Sequence, residues 1–207
     1  MESKRSKKNR DFLGYYLPTN TLILSIIAIF TTLNFVVTYW VQIPIPATGG
    51  YINIGDIAIM FIALLFGPII GGITGGLGPM LADVFSPYII YAPATVVIKG
   101  IEGFLIGLIS NPKNCEGRVS YHDIIAVLIG GVLIPLGYFI YEAFILGFGV
   151  IVALVEMPGN FFQFILAAIG SILLVTASIK NSSLVTTHCF DKIFISIEPR
   201  NYEQAKS

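Results

Sequence analysis

Charged residues are scarce in this chain: Asp, Glu, Lys and Arg make up 12% of its 207 residues, against about 25% in an ordinary soluble domain. Cysteine is nearly absent. Cys115 and Cys189 lack metal-ligand spacing and fall in segments expected on the cytoplasmic side, so neither a thiolate metal centre nor a disulfide is expected. Histidine is equally sparse, with His122 at the start of an expected helix, where it reads as a cap, and His188 far beyond it. No H-E-x-x-H, G-x-S-x-G or G-x-x-x-x-G-K-S/T pattern occurs, which leaves metalloprotease, serine-hydrolase and ATP-hydrolysing chemistry without a motif. No enzyme activity, cofactor, metal or nucleic-acid partner is expected.

Lys and Arg are also missing from particular places. The connections 42–53, 86–90 and 147–149 contain none, whereas eleven of the twelve basic residues fall in 4–10, 113–118 and 180–206. The twelfth is Lys99, inside an apolar stretch.

What the chain does have is apolar length. It is 55% hydrophobic, with mean hydropathy +0.83, and a bilayer solvates such side chains without burying them against protein. A helix needs about 20 apolar residues to cross the roughly 30 Å hydrocarbon core. Candidate spans cover 19–41, 54–66, 68–85, 91–109, 124–146 and 150–179. The second is short and is stopped by Gly67-Pro68, with a tight turn before the third. The fold class is therefore an all-α membrane protein of six transmembrane helices. With six spans, the basic segments share one side only if both termini are cytoplasmic. The first apolar run is too long for a secretory h-region and lacks a small-residue cleavage site, so it reads as a retained helix. The expected organisation is a basic cytoplasmic N-terminus (1–18), a six-helix membrane domain (19–180) and a cytoplasmic tail (181–207).

Ionisable side chains inside a membrane are costly and mark cavities or partners. On this topology Asp56, Asp83, Lys99, Glu102, Glu142 and Glu156 all lie between the outer surface and the midplane. Lys99, eight residues into its span, is about 12 Å below the outer end. Asn160 and Gln163 continue inward from Glu156 at helical spacing, just after Pro158-Gly159, where a loosened turn would free carbonyls. A conducting channel needs polar groups through the whole thickness. A polar outer half over an apolar inner half instead points to a pocket that opens outward.

Each residue also has a plainer role open to it. Asp56 and Asp83 sit near the interface, and Asp56 can cap its helix. Lys99 and Glu102 share a helix face, so they either line the site or neutralise each other. Asn160 and Gln163 can bind ligand or join helices. Tyr88, Tyr91, Tyr138 and Tyr141 read first as an interfacial belt and second as platforms for a flat ligand. The glycines Gly67, Gly71 and Gly75, with Gly72, Gly76 and Gly78, make a small-xxx-small surface for close helix packing. Ser25, Ala28 and Thr32 make a second such stripe, for internal packing or for a membrane partner. The lone Trp40, at the outer end of the first span, is a candidate fluorescence reporter.

Several runs resemble a known family. These are Gly50-Tyr51-Ile52-Asn53-Ile54-Gly55-Asp56, Leu65-Phe66-Gly67-Pro68, the glycine helix ending Leu81-Ala82-Asp83, Ile98-Lys99-Gly100-Ile101-Glu102-Gly103 and Pro158-Gly159-Asn160-Phe161-Phe162-Gln163. Together, over about residues 20–178, they resemble the S components of energy-coupling factor (ECF) transporters, in the branch often labelled riboflavin-type. The resemblance implies a six-helix protein that captures a water-soluble vitamin or precursor, riboflavin or a relative, from outside. It implies partners as well: a membrane coupling subunit and two cytoplasmic ATPases. The family's A-x-x-x-A docking motif is approximated only by Ala28 and Thr32, with Ser25 on the same stripe. The positions that match its ligand-holding regions are Asn53, Lys99, Glu102, Glu142, Asn160 and Gln163. The competing class is an ion-coupled secondary transporter of a small polar metabolite that uses the buried acids as a proton relay.

Overall fold

A computed structural model of the protein describes residues 11–12, 15–16, 18, 21–110 and 119–181. Both cysteines, His188 and nearly all the basic residues that set the expected orientation lie outside the described residues.

Two short strands, β1 (Asp11–Phe12) and β2 (Tyr15–Tyr16), pair antiparallel before the first long helix. That helix, α1 (Thr21–Trp40), buries one stripe of Ile23, Ile27, Asn34 and Thr38. Leu24, Ile29, Leu33 and Val36 are exposed on its other faces, a surface that lipid solvates and water does not. Pro44 and Pro46 cannot continue a helix. The chain forms instead an antiparallel hairpin of β3 (Gln42–Ile45) and β4 (Gly50–Asn53), in register from Gln42 opposite Asn53 to Ile45 opposite Gly50. Its turn closes with the Gly49 N–H on the Ile45 carbonyl, 3.0 Å away. The two hairpins correct the all-α expectation: the protein is mostly helical, and 42–53 is an ordered hairpin where an irregular loop was expected.

α2 (Gly55–Val84) contains both the second and the third expected spans. At Gly67 the backbone leaves helical geometry, with φ 82° and ψ −171°, a region open in practice only to glycine. Pro68 follows, where a first helical turn loses nothing by lacking an N–H. The chain folds back at this point. A methyl group on Gly71 would lie 2.7 Å from Cβ of Ala63, and one on Gly75 would lie 2.8 Å from Cγ2 of Ile59. In a straight helix residues 59 and 75 would be about 24 Å apart. The arms 55–66 and 68–84 are therefore antiparallel neighbours, two helices joined by a tight reversal at Gly67.

A 3₁₀ turn (Ile89–Tyr91) leads into α3 (Ala92–Ser110), which packs on α2 through the glycines. A Cβ on Gly71, Gly72, Gly75 or Gly76 would come within 2.9–3.2 Å of the carbonyls of Gly103, Gly100, Lys99 and Val96, respectively. The glycine stripe thus serves close backbone approach within the chain. The next crossing is built of α4 (Tyr121–Gly131), α5 (Leu133–Ile140) and a π-helical turn (Tyr141–Ile145). At its start the Asp123 carboxylate accepts the Ser120 N–H at 2.8 Å. Asp123, not His122, does the capping, and the His122 ring lies against Tyr121 with centroids 3.9 Å apart. Finally α6 (Val150–Asn181) continues through Pro158, whose missing N–H leaves the Leu154 carbonyl without its helix donor.

Among the described residues, five helical stretches are long and apolar enough to cross a membrane: Thr21–Trp40, Gly55–Val84, Ile89–Ser110, Tyr121–Ile145 and Val150–Ser178. The core brings together Met60, Leu64, Ile106, Val127, Ile134, Phe164 and Ala167 where α2 to α6 meet. The buried ionisable side chains lie on the other side of this core, toward the β3–β4 hairpin.

Candidate functional site

Three helices each contribute a row at helical spacing to the space under the hairpin. α3 supplies Thr95, Lys99 and Glu102, α5 and its π turn supply Tyr138 and Glu142, and α6 supplies Glu156, Asn160 and Gln163, all buried. Tyr51, Asn53, Tyr91, Thr95, Tyr138, Glu156, Asn160 and Gln163 surround a small cavity of about 10 Å³, room for a water molecule at most. Drug-sized ligands occupy pockets of about 300–1,000 Å³, so the cavity is contracted. A ligand of vitamin size must displace side chains or the hairpin above them.

The hairpin is tied down at three points. The Thr48 hydroxyl donates to Glu156, and the Tyr91 hydroxyl donates to the Thr48 carbonyl at 3.1 Å. The Tyr51 hydroxyl donates to Asp83 at the end of α2, while the Tyr51 and Tyr88 rings lie 4.3 Å apart. The Asn53 N–H donates to Gln163 Oε1 at 2.6 Å. Burial, then the neighbouring Asp83 carboxylate, raises the Tyr51 phenol far above its usual value of 10.0. The group stays protonated and serves as a donor. Gly50 rests directly on Glu156, because a Cβ there would lie 2.8 Å from both carboxylate oxygens. Ile52 lies as close to Gly159, where an added Cβ would stand 2.8 Å from its Cδ1. The Pro158-Gly159 pair therefore makes room for the hairpin.

Below the cavity, Gln163 Nε2 donates to Asp56 and Lys99 forms a buried ion pair with the same carboxylate. Asp56 is thus fully buried and makes no cap bond to its helix. The Lys99–Glu102 pairing read as an alternative does not form. Both Glu102 oxygens are buried with no hydrogen-bond partner among the described residues. Asp83 accepts Thr95 Oγ1 at 2.5 Å, and Tyr138 completes the chain with its hydroxyl 3.0 Å from Thr95.

Of the six expected ligand positions, Asn53, Asn160 and Gln163 line the cavity. Lys99 stands behind Gln163 through Asp56, Glu142 stands behind Tyr91, whose hydroxyl is 3.3 Å from its Oε1, and Glu102 lies deeper. Tyr51, Tyr91, Thr95, Tyr138 and Glu156 complete the lining and were not in that set. Tyr91 and Tyr138 are 2% and 8% exposed, so they belong to the site and not to a membrane belt. The four-residue steps from Tyr91 to Thr95 to Lys99, and from Tyr138 to Glu142, were signals that could have found them. On α1 the Ser25, Ala28 and Thr32 stripe is exposed, with the hydroxyls bonded to carbonyls of their own helix. Internal packing is therefore not its role. Trp40 is 83% exposed and absent from the lining, which removes it as a direct reporter.

A family model described as "ECF-type riboflavin transporter, S component" matches residues 19–180. A thiamine precursor transporter, HmpT, of Lactococcus lactis subsp. cremoris (strain MG1363) is 30% identical over 161 residues, which is 76% of this chain and 90% of the relative. An uncharacterized protein from Pyrococcus woesei is 47% identical over 103 residues, covering 50% of this chain and 66% of the relative, just under two thirds of its length. With a family match across most of its length and apolar helices through the same region, the chain belongs to the ECF-type riboflavin transporter S-component family and is a multi-pass protein of the cell membrane.

Proposed function

We propose that the protein captures a water-soluble vitamin or vitamin precursor from outside the cell for uptake powered by partner subunits. The observation that carries this reading is a polar cavity confined to one end of the helix bundle and roofed by a hairpin tied through Thr48, Tyr51 and Asn53. Beyond it, among the described residues, Met60, Leu64, Ile106, Val127, Phe164 and Ala167 pack into an apolar core. In this reading the chain crosses six times, counting both arms of α2, and both termini are cytoplasmic. The hairpin then faces outward. The domain spans 19–180, between cytoplasmic segments 1–18 and 181–207. Ligand enters as the hairpin lifts and is sealed in as its ties re-form.

Asn53, Asn160 and Gln163 supply donors and acceptors to the ligand, and Lys99, through Asp56, holds Gln163 in place. Glu142 and Glu102 belong to the same polar half. The exposed face of Ser25, Ala28 and Thr32 is the docking surface for the coupling subunit, which carries two ATPases. Riboflavin is the substrate that the matching family's description favours. A thiamine precursor is the second reading, supported by the relative HmpT. The test is calorimetric titration of the detergent-purified protein with riboflavin, thiamine and the pyrimidine half of thiamine, without ATP. Submicromolar binding of one of them is expected. Uptake in cells that persists without ATP and collapses with a protonophore would replace this reading with an ion-coupled transporter.

A further inference from the structure

The charge balance of the buried half is uneven. Among the described residues, Asp56, Asp83, Glu102, Glu142 and Glu156 are buried acids and Lys99 is the buried base. Lys99 is committed to Asp56, which also takes the Gln163 amide. Asp83 has a hydroxyl donor on each oxygen, from Tyr51 and Thr95. Glu142 and Glu156 are supplied differently. Both approach the Tyr91 hydroxyl: it lies 3.3 Å from Glu142 Oε1 on the π turn, and a Cβ on Gly50 would stand 3.1 Å from that hydroxyl and 2.8 Å from both Glu156 oxygens on α6. Glu156 receives the Thr48 hydroxyl, Glu142 Oε1 receives only a shared Tyr91 proton at 3.3 Å, and Glu142 Oε2 has no partner at all while the residue is 0% exposed.

Two acids brought together in a low-dielectric interior, with a lone pair left over and no cation supplied by the described residues, are poorly compensated by the protein itself. Both adjoin the cavity, Glu156 as part of its lining and Glu142 from behind Tyr91. The same wall holds aromatic rings, Tyr91 and Tyr138, with centroids 6.3 Å apart. Ring faces beside carboxylates are the surroundings that favour an organic cation.

We propose that Glu142 and Glu156, with Tyr91 and Tyr138, form a subsite for a positively charged nitrogen group of the ligand: an ammonium, a protonated amino-heterocycle or a quaternary ring nitrogen. The inference rests on the capture reading and narrows its substrate class to cationic ligands. The amides of Asn53, Asn160 and Gln163 on the facing wall then read the neutral polar edge of the same molecule. Thr48 holds Glu156 in the unliganded state and is displaced when the cation takes that carboxylate.

The experiment is calorimetry on the full chain in detergent, using probes matched in shape and different in charge. Pyridoxamine is compared with pyridoxine, and thiamine with 3-deazathiamine, its uncharged thiophene analogue; riboflavin is the neutral control. The wild type is expected to bind a cationic member at least tenfold more tightly than its neutral counterpart. E142Q and E156Q should each remove that tenfold preference. The wild-type comparison stands even if a variant fails to fold. Binding of a neutral probe as tightly as its cationic counterpart, or of riboflavin alone, would overturn the subsite while leaving vitamin capture intact. A folded wild-type protein that binds none of the probes would overturn both.

Discussion

Lys99 shows how one side chain can hold two functions together. It lies 43 positions from Asp56 in sequence, and the pair is almost fully buried, at 1% and 0% exposed. An isolated buried charge costs far more than a buried pair, so removing one member is severe. Lys99→Met is expected to lower stability by about 3–5 kcal/mol, read by thermal or denaturant unfolding in detergent. The double variant Lys99→Met with Asp56→Asn should regain most of that loss, and a double variant no better than the single one would contradict the pairing. Gln163 and Asn160 separate in a different way. Asn160 lines the cavity and, among the described residues, makes no hydrogen bond to the hairpin, whereas Gln163 bridges Asn53 and Asp56. Asn160→Ala should weaken ligand binding by about 1–3 kcal/mol with little change in melting temperature. Gln163→Ala should reduce both quantities, and a titration paired with a melt of each variant checks this.

At the scale of elements, the fold depends on one backbone position in α2. Gly67 reverses the chain, and its neighbour Gly107 on α3 has no room for a side chain, because an added Cβ would stand 2.7 Å from the Gly67 carbonyl oxygen. Gly67→Ala forces an L-residue into a region it rarely occupies, at about 1–3 kcal/mol. It should lower the melting temperature, and Ala63→Gly, which touches the other side of the same packing, should not rescue it. The sequence marked this stop through Gly67-Pro68 and read it as a tight turn between two helices, and the backbone does leave helical geometry and reverse there. The π turn after α5 is a second element-level device. Leu146 N–H reaches Tyr141 at 2.8 Å and Phe148 N–H reaches the Glu142 carbonyl at 3.0 Å. The wider turn re-aims Glu142 inward, consistent with the tendency of π turns to sit at functional sites.

At the scale of the whole molecule, polarity is divided along the bundle and not around it. The hairpin end gathers the acids, amides and tyrosines, and the other end is closed by aliphatic and aromatic packing. If the hairpin end faces outward, a cysteine at exposed Ala47 should react with a membrane-impermeant maleimide in intact cells. The variant is Ala47→Cys in a background lacking Cys115 and Cys189. Labelling only after the membrane is permeabilised would reverse the orientation and with it the direction of capture. The exposed stripe of Ser25, Ala28 and Thr32 stands on α1, away from the buried line of Ile23, Ile27, Asn34 and Thr38. Ligand capture and partner docking are therefore spatially separate in the proposed function.

Sequence alone determined the membrane class, the approximate limits of the helices and the gathering of ionisable residues in one half of the bundle. These are local properties: apolar length, helical spacing and the cost of placing charge in lipid can all be read along a single chain. It also singled out Asn160 and Gln163 as a polar pair at helical spacing, to which the resemblance added Asn53, and all three line the cavity. Only the tertiary structure decided that Lys99 pairs with Asp56 and not with Glu102, that Tyr91 and Tyr138 turn inward, and that 42–53 is a hairpin fastened to Glu156, Asp83 and Gln163. Those choices depend on how each helix is rotated and set in depth against its neighbours. That rotation is fixed by contacts such as glycine against carbonyl between α2 and α3, made by residues far apart in the chain.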